Sequence, residues 1–99
     1  MAVQFTSAKE YIQAVFSDDQ EFVRRVERHI NEHRLGKMLM MLRCRMDFTQ
    51  QGLANRMNVS IGEILVLEDK SDREMTIGEL ADYSTAMGFD FDRGFYQKN

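Results

Sequence analysis

Apolar residues recur at helical spacing along most of this chain, and hydroxyl-bearing residues mark where each run begins. Ala8, Tyr11, Ile12, Val15 and Phe16 fall on one face of a helix. Phe22, Val26 and Ile30 recur every four residues, with Val23 beside them. Four segments read as capping boxes, in which a Ser or Thr hydroxyl bonds the N3 amide while Glu or Gln reaches back. They are Ser7-Ala8-Lys9-Glu10, Ser17-Asp18-Asp19-Gln20, Ser60-Ile61-Gly62-Glu63 and Thr76-Ile77-Gly78-Glu79. The run Met38 to Leu42 is apolar all the way round a helix, a pattern that requires burial on more than one side. It is expected to pack on the C-terminal helices with one face and on the N-terminal helices, or a second subunit, with the other. Propensity alone leaves open whether the helix through Ile30 runs on or breaks near Leu35-Gly36.

The segment from Phe48 to Phe89 carries the most detail. Thr49 is placed to cap a helix bearing Leu53, Ala54 and Met57. Asn58 follows where that helix must stop, and Asn tolerates the left-handed conformation. Ser60 opens a second short helix with Ile64 and Leu67 inward, Lys70 to Arg73 form a polar loop, and Thr76 opens a further helix. That last helix turns Ile77, Leu80, Tyr83, Ala86 and Met87 inward and ends at Gly88. Two helices of this length joined by a tight turn describe a helix-turn-helix. The alternation of Phe89-Asp90-Phe91-Asp92 fits an edge strand, or two phenylalanines closing the core over wet aspartates. With no proline and few β-branched runs, the expected fold class is all-α, with at most one short strand pair at the C-terminus.

Composition narrows the class. A chain of 99 residues holds one domain, and 43% hydrophobic with 29% charged residues excludes wholesale disorder. The longest purely apolar run is far short of the ~20 residues of a membrane span. No secretory pattern opens the chain, and a single cysteine, Cys44, excludes an internal disulfide framework and argues against zinc. A small, soluble, cytoplasmic protein is expected, with no membrane contact. The net charge of −3 is unevenly spread. Residues 24–45 carry seven basic side chains (Arg24, Arg25, Arg28, Arg34, Lys37, Arg43, Arg45) against Glu27 and Glu32, whereas the segments on either side are acidic. Such a stripe is either a phosphate-binding surface or a solvated helix face.

Two constellations look like chemistry. His29-Ile30-Asn31-Glu32-His33 matches the inverted zinc-protease motif, but a third ligand and a substrate cleft are not marked in a chain this short. Cys44 lies between Arg43 and Arg45, yet no base or oxyanion site accompanies it, and a lone cysteine near a helix end reads as a small buried hydrophobe. No Gly-rich phosphate loop occurs. No catalytic activity, cofactor or metal is therefore expected.

On these residues the chain resembles the lambda-repressor-like (Xre-type) helix-turn-helix family. The resemblance runs through Leu39, Leu42-Arg43, Phe48-Thr49-Gln50, Leu53-Ala54, Met57-Asn58-Val59-Ser60, Ile64, Leu67-Glu68, Leu80 and Ala86-Met87-Gly88, about half of the chain. A looser resemblance to antitoxins of the HigA type lies in Asp18-Asp19-Gln20-Glu21-Phe22 and in the alternating tail. The resemblance implies an N-terminal helical extension (1–34), a helix-turn-helix domain (35–88) and a tail or short strand (89–99). It also implies a homodimeric, antitoxin-like transcription regulator that docks one helix per subunit in the major groove of double-stranded DNA, with a toxin or other protein as further partner. Carried over, Gln50 and Gln51 would touch backbone phosphate, and Ser60 would offer a phosphate its hydroxyl and its helix N-terminus. Ile61, Gly62, Glu63 and Leu65 would face base edges, with Lys70 and Arg43 or Arg45 as backbone contacts.

The residues at the reading positions depart from the family pattern. Ile61 stands where a polar residue usually braces the glutamine of the preceding helix, and Gly62 has no side chain to read with. Glu63 is expected to be held by its capping box, and Asp69 would repel phosphate. Two functions therefore remain open at this level: a DNA-binding regulator, or a degenerate helix-turn-helix whose Ile61, Leu65 and Val66 form a protein-contact patch without DNA binding.

Overall fold

The computed structural model describes the backbone of residues 2–3, 6–89 and 97–98, and the side chains of Glu10 and of residues 12–89. Six helices follow one another: α1 (Thr6–Val15), α2 (Gln20–Asn31), α3 (Leu35–Arg45), α4 (Gln50–Met57), α5 (Ile61–Glu68) and α6 (Ile77–Met87). They form an all-α bundle. A two-residue antiparallel pairing joins β1 (Ala2–Val3) to β2 (Gln97–Lys98), with Ala2 opposite Lys98.

Helix starts follow the hydroxyl and carboxylate signals, with two displacements. Thr49, Ser60 and Thr76 each accept a hydrogen bond from the N3 amide of their helix, at Gly52, Glu63 and Glu79. Among the described residues only Thr76–Glu79 closes a full box, with the Glu79 carboxylate accepting from the Thr76 amide. At Ser60 the box is half made, and the Glu63 carboxylate is left unused by the cap. Ser17 is not a cap. Asp19 takes that role, accepting from the Phe22 amide, while the Gln20 side chain folds back to donate to the Ser17 carbonyl. Ser7 lies inside α1, which already begins at Thr6. Asn58 (φ 58°) and Gly88 (φ 89°) end α4 and α6 in the left-handed conformation, as the sequence requires.

The chain breaks between α2 and α3 at Glu32 to Arg34, with His33 at φ 59°. Met38, Leu39 and Leu42 are fully buried, and α3 packs against α2 on one side and against α5 and α6 on the other. One subunit thus covers both faces of the apolar run. The core is continuous from Ile12 and Phe16 through Val26, Leu39, Leu53 and Ile64 to Tyr83 and Met87. Val15, expected inward, is exposed in the last turn of α1. Phe89 is buried beyond α6, with its ring centroid 6.0 Å from that of Phe16, so it closes the core. Of the expected alternating strand, Phe89 is non-helical coil, and the rest lies outside the described residues.

Gly36 fixes how closely α3 meets α5. A Cβ there would stand 2.6 Å from the Leu67 carbonyl oxygen and 2.7 Å from the Glu68 carbonyl, both backbone atoms that cannot swing away. The Gly36 amide donates to the Lys70 carbonyl at 2.9 Å, which ties the start of α3 to the end of α5. Asp72 strengthens the same junction, its carboxylate accepting from the Leu35 amide and from the His33 ring.

Gly36→Ala should therefore destabilise the fold by roughly 1–3 kcal/mol in urea denaturation, the cost of overpacking against rigid backbone. Gly78→Ala, whose new methyl would meet only the Thr76 hydroxyl at 3.9 Å, should be neutral or stabilising by up to about 1 kcal/mol.

Candidate functional site

The turn Asn58 to Ser60 connects two eight-residue helices, and only one side of the second is covered. In α5, Ile64, Leu67 and Glu68 face inward. Ile61, Leu65 and Val66 are 41, 51 and 60% exposed, and Gly62 and Glu63 are exposed between them. The result is an apolar ridge with a cleft on each flank. Towards α6 lies a groove of about 490 Å³, lined by Met57, Val59, Gly62, Glu63, Val66 and Asp82 among others. Towards α3 lies one of about 460 Å³, whose lining includes Lys37, Met40, Gln50, Leu65, Val66 and Asp69.

What holds the ridge outward is a buried carboxylate at the end of α5. Glu68 is 3% exposed and receives donors from three other helices. Arg43 of α3 donates through Nε at 2.7 Å and Nη2 at 3.3 Å, and its Nη1 donates to the Phe48 carbonyl at 2.9 Å. Gln50 of α4 donates through Nε2 at 3.2 Å, and the Tyr83 hydroxyl of α6 donates to the same carboxylate. Burial, reinforced by the neighbouring Glu68 charge, pushes the Tyr83 hydroxyl far above its usual range, so it stays a donor. Burial is the largest single influence on Arg43 and works against its charge, but the hydrogen bond and the charge of Glu68, with smaller neighbouring contributions, together outweigh it and hold the guanidinium more firmly charged.

This arrangement corrects the sequence-based set of site residues. Arg43 is buried with its guanidinium engaged, so it is unavailable as a phosphate contact. Sequence reasoning missed its true role because Glu68 lies 25 residues away, although a charged residue at an inward helical position was the available signal. Gln50 is half-buried and turned to Glu68, not to the position of Ile61. Arg45 pairs with Asp19 at 3.3 Å and lies over the Phe16 and Phe22 rings. Lys70 pairs with Glu79 at 2.6 Å. Gln51 is exposed and bonds Asn55, whereas Ser60, Ile61, Gly62, Glu63 and Leu65 stand together at the free end and outer face of α5.

His33 is exposed beside Asp72, and His29 is half-buried with its Nδ1 unpartnered. Burial, then the Arg34 charge, holds the His29 imidazole below its usual range. Among the described residues no group of three His, Cys, Asp or Glu side chains could hold a metal. Cys44 is exposed, not the buried hydrophobe its position suggested. Among the described residues no helix is long and apolar enough to cross a membrane. No family model, curated protein or solved structure matches the chain.

Glu68→Leu leaves Arg43 buried without its partner and should cost about 3–5 kcal/mol in urea unfolding. Adding Arg43→Met should recover more than half of that loss, since removing both charges removes the desolvation penalty. The pair Lys70–Glu79 carries a pH signature. The Lys70 hydrogen bond, then the Thr76 amide, holds the Glu79 carboxyl below its usual value. The pair's contribution is thus full above the unfolded-state value and lost as pH falls through the lowered folded one. Stability curves of the wild type and Lys70→Met should converge at acid pH, separate as pH rises, and run parallel above about pH 4.5.

Proposed function

We propose that this chain is a cytoplasmic, DNA-binding transcription regulator that docks α5 in the major groove as one half of a homodimer. The observation that supports it best is the uncovered ridge of α5, presented one short turn after α4. Within this reading α4, the turn and α5 form a lambda-repressor-like helix-turn-helix. The N-terminal ends of α4 and α5, with Gln51 and Ser60 exposed, lie to the phosphate side. Ile61, Leu65 and Val66 then meet thymine methyl groups, and Glu63, free of its cap, accepts from a cytosine amino group. Gln50, held by Glu68, serves to position the start of α4 and makes no direct reading contact. Antitoxin-like control of its own gene is the form of regulation the sequence resemblance favours.

The charge arrangement sets the character of such binding. Lys70 and Lys37 flank the ridge, but each is engaged by a carboxylate, Glu79 at 2.6 Å and Asp69 at 3.7 Å. Few phosphates would be neutralised, so affinity would depend weakly on salt. The same engaged cations favour a second reading, in which the ridge contacts protein and not DNA.

Titrating the protein's own upstream duplex and a random duplex across a salt series separates the two. The regulator reading predicts preference for the upstream duplex and a log–log salt slope shallower than about −3 per protomer, the slope of three or so phosphates. Leu65→Asp should abolish the preference, whereas Arg25→Ala on α2 should preserve it. Absence of binding to either duplex at low salt would leave the interaction module as the function.

A further inference from the structure

The groove between α5 and α6 has the chemistry of a peptide-docking site. Met57, Val59, Val66 and Leu67 supply apolar lining over about 490 Å³, and Glu63 and Asp82 stand at its edge. Both carboxylates are exposed, and among the described residues neither takes part in an ion pair or a side-chain hydrogen bond. Glu63 is free because the Ser60 cap is half made, with the hydroxyl accepting from its amide and the carboxylate unused. Glu79, the third acid of the lining, is already neutralised by Lys70. An apolar cleft edged by two unpaired carboxylates, on a chain of net charge −3, complements an apolar side chain flanked by lysine or arginine.

The described surface of the chain itself offers no such segment. Outside α5, its exposed large apolar residues are Val15 and Met46. Val15 is followed by the buried Phe16 and then by Ser17 and Asp18, and the arginine beside Met46 is held by Asp19. The arginine-rich face of α2 exposes Arg24, Arg25 and Arg28 but buries Phe22, Val23, Val26 and Ile30. Among the described residues, a second copy therefore lacks the paired apolar and basic groups the groove calls for.

We propose that this groove captures a partner protein through a short amphipathic segment, one or two apolar side chains entering the cleft while flanking basic residues meet Glu63 and Asp82. Because the groove includes Ser60, Gly62 and Glu63, a bound segment covers the free end of α5. Partner and DNA then exclude each other, so the partner acts as an effector. That exclusion rests on the DNA-binding reading, whereas the docking itself does not.

The test uses the full chain and three fluorescein-labelled twelve-residue peptides, of Leu and Lys, of Ser and Lys, and of Leu and Glu, followed by anisotropy. The Leu/Lys peptide alone should bind saturably. Glu63→Lys combined with Asp82→Lys should weaken it at least about tenfold, as should Val66→Asp. Asp18→Lys with Glu21→Lys, the same charge change placed away from the groove, should leave it unchanged, and circular dichroism verifies that each variant is folded. Equal binding of the Ser/Lys peptide, or equal loss in the distant charge variant, would overturn the docking proposal. So would sedimentation showing self-association that the groove variants abolish, since a second copy would then be the occupant. Displacement of bound upstream duplex by the Leu/Lys peptide supports the exclusion, and simultaneous binding of both refutes it. If no duplex binds at all, the DNA reading fails while the peptide titrations still decide the groove.

Discussion

The Glu68 carboxylate is the point on which the arrangement of α3 to α6 turns. Arg43, Gln50 and Tyr83 reach it from three different helices, and Glu68 itself closes α5. A buried carboxylate is costly unless its lone pairs are met, and one with this many donors fixes the positions of all of them. The choice is one of geometry more than of stability, because a buried ion pair repays its desolvation only when every hydrogen bond is made. Gly36 completes the constraint by allowing the backbone of α3 to touch that of α5 at Leu67 and Glu68. The C-terminal end of α5 is thereby pinned, and its outer face is left free.

From that constraint the exposed face of α5 follows. Ile64, Leu67 and Glu68 occupy the inner face of α5, so Ile61, Leu65 and Val66 necessarily point away. The cost of three exposed branched aliphatic side chains on one helix is solubility, and such a patch normally marks a binding surface. The cations that would make it a strong phosphate binder are engaged elsewhere: Arg43 in the core, Arg45 against Asp19 and two phenylalanine rings, Lys70 against Glu79. Under the proposed function, recognition by α5 would thus rest on shape and apolar contact more than on charge.

Much of the architecture was legible from local signals. Thr49, Asn58, Ser60, Thr76 and Gly88 each act within four residues of themselves, and the structure finds them in the roles their chemistry dictates. The apolar periodicities marked Val26, Leu39, Leu53, Ile64 and Tyr83 as core. The failures came where a partner lies far along the chain or where two caps compete. Asp19 outcompeted Ser17 because its carboxylate sits one residue before the helix. Arg43 looked like one more member of a basic stripe, since nothing local reveals that Glu68 awaits it. Propensity left open a break near Leu35-Gly36; the break falls at Glu32 to Arg34, and Gly36 inside α3 permits the close approach of two backbones.

The proposed DNA-contacting surface is the free face of α5 together with the start of α4. Backbone amide chemical shifts of the isotope-labelled chain, recorded with and without its own upstream duplex, test it most directly. The account predicts shifts concentrated at 49–51 and 60–66, with α2 unperturbed. Shifts confined to Arg24, Arg25 and Arg28, or none at all at low salt, would contradict it.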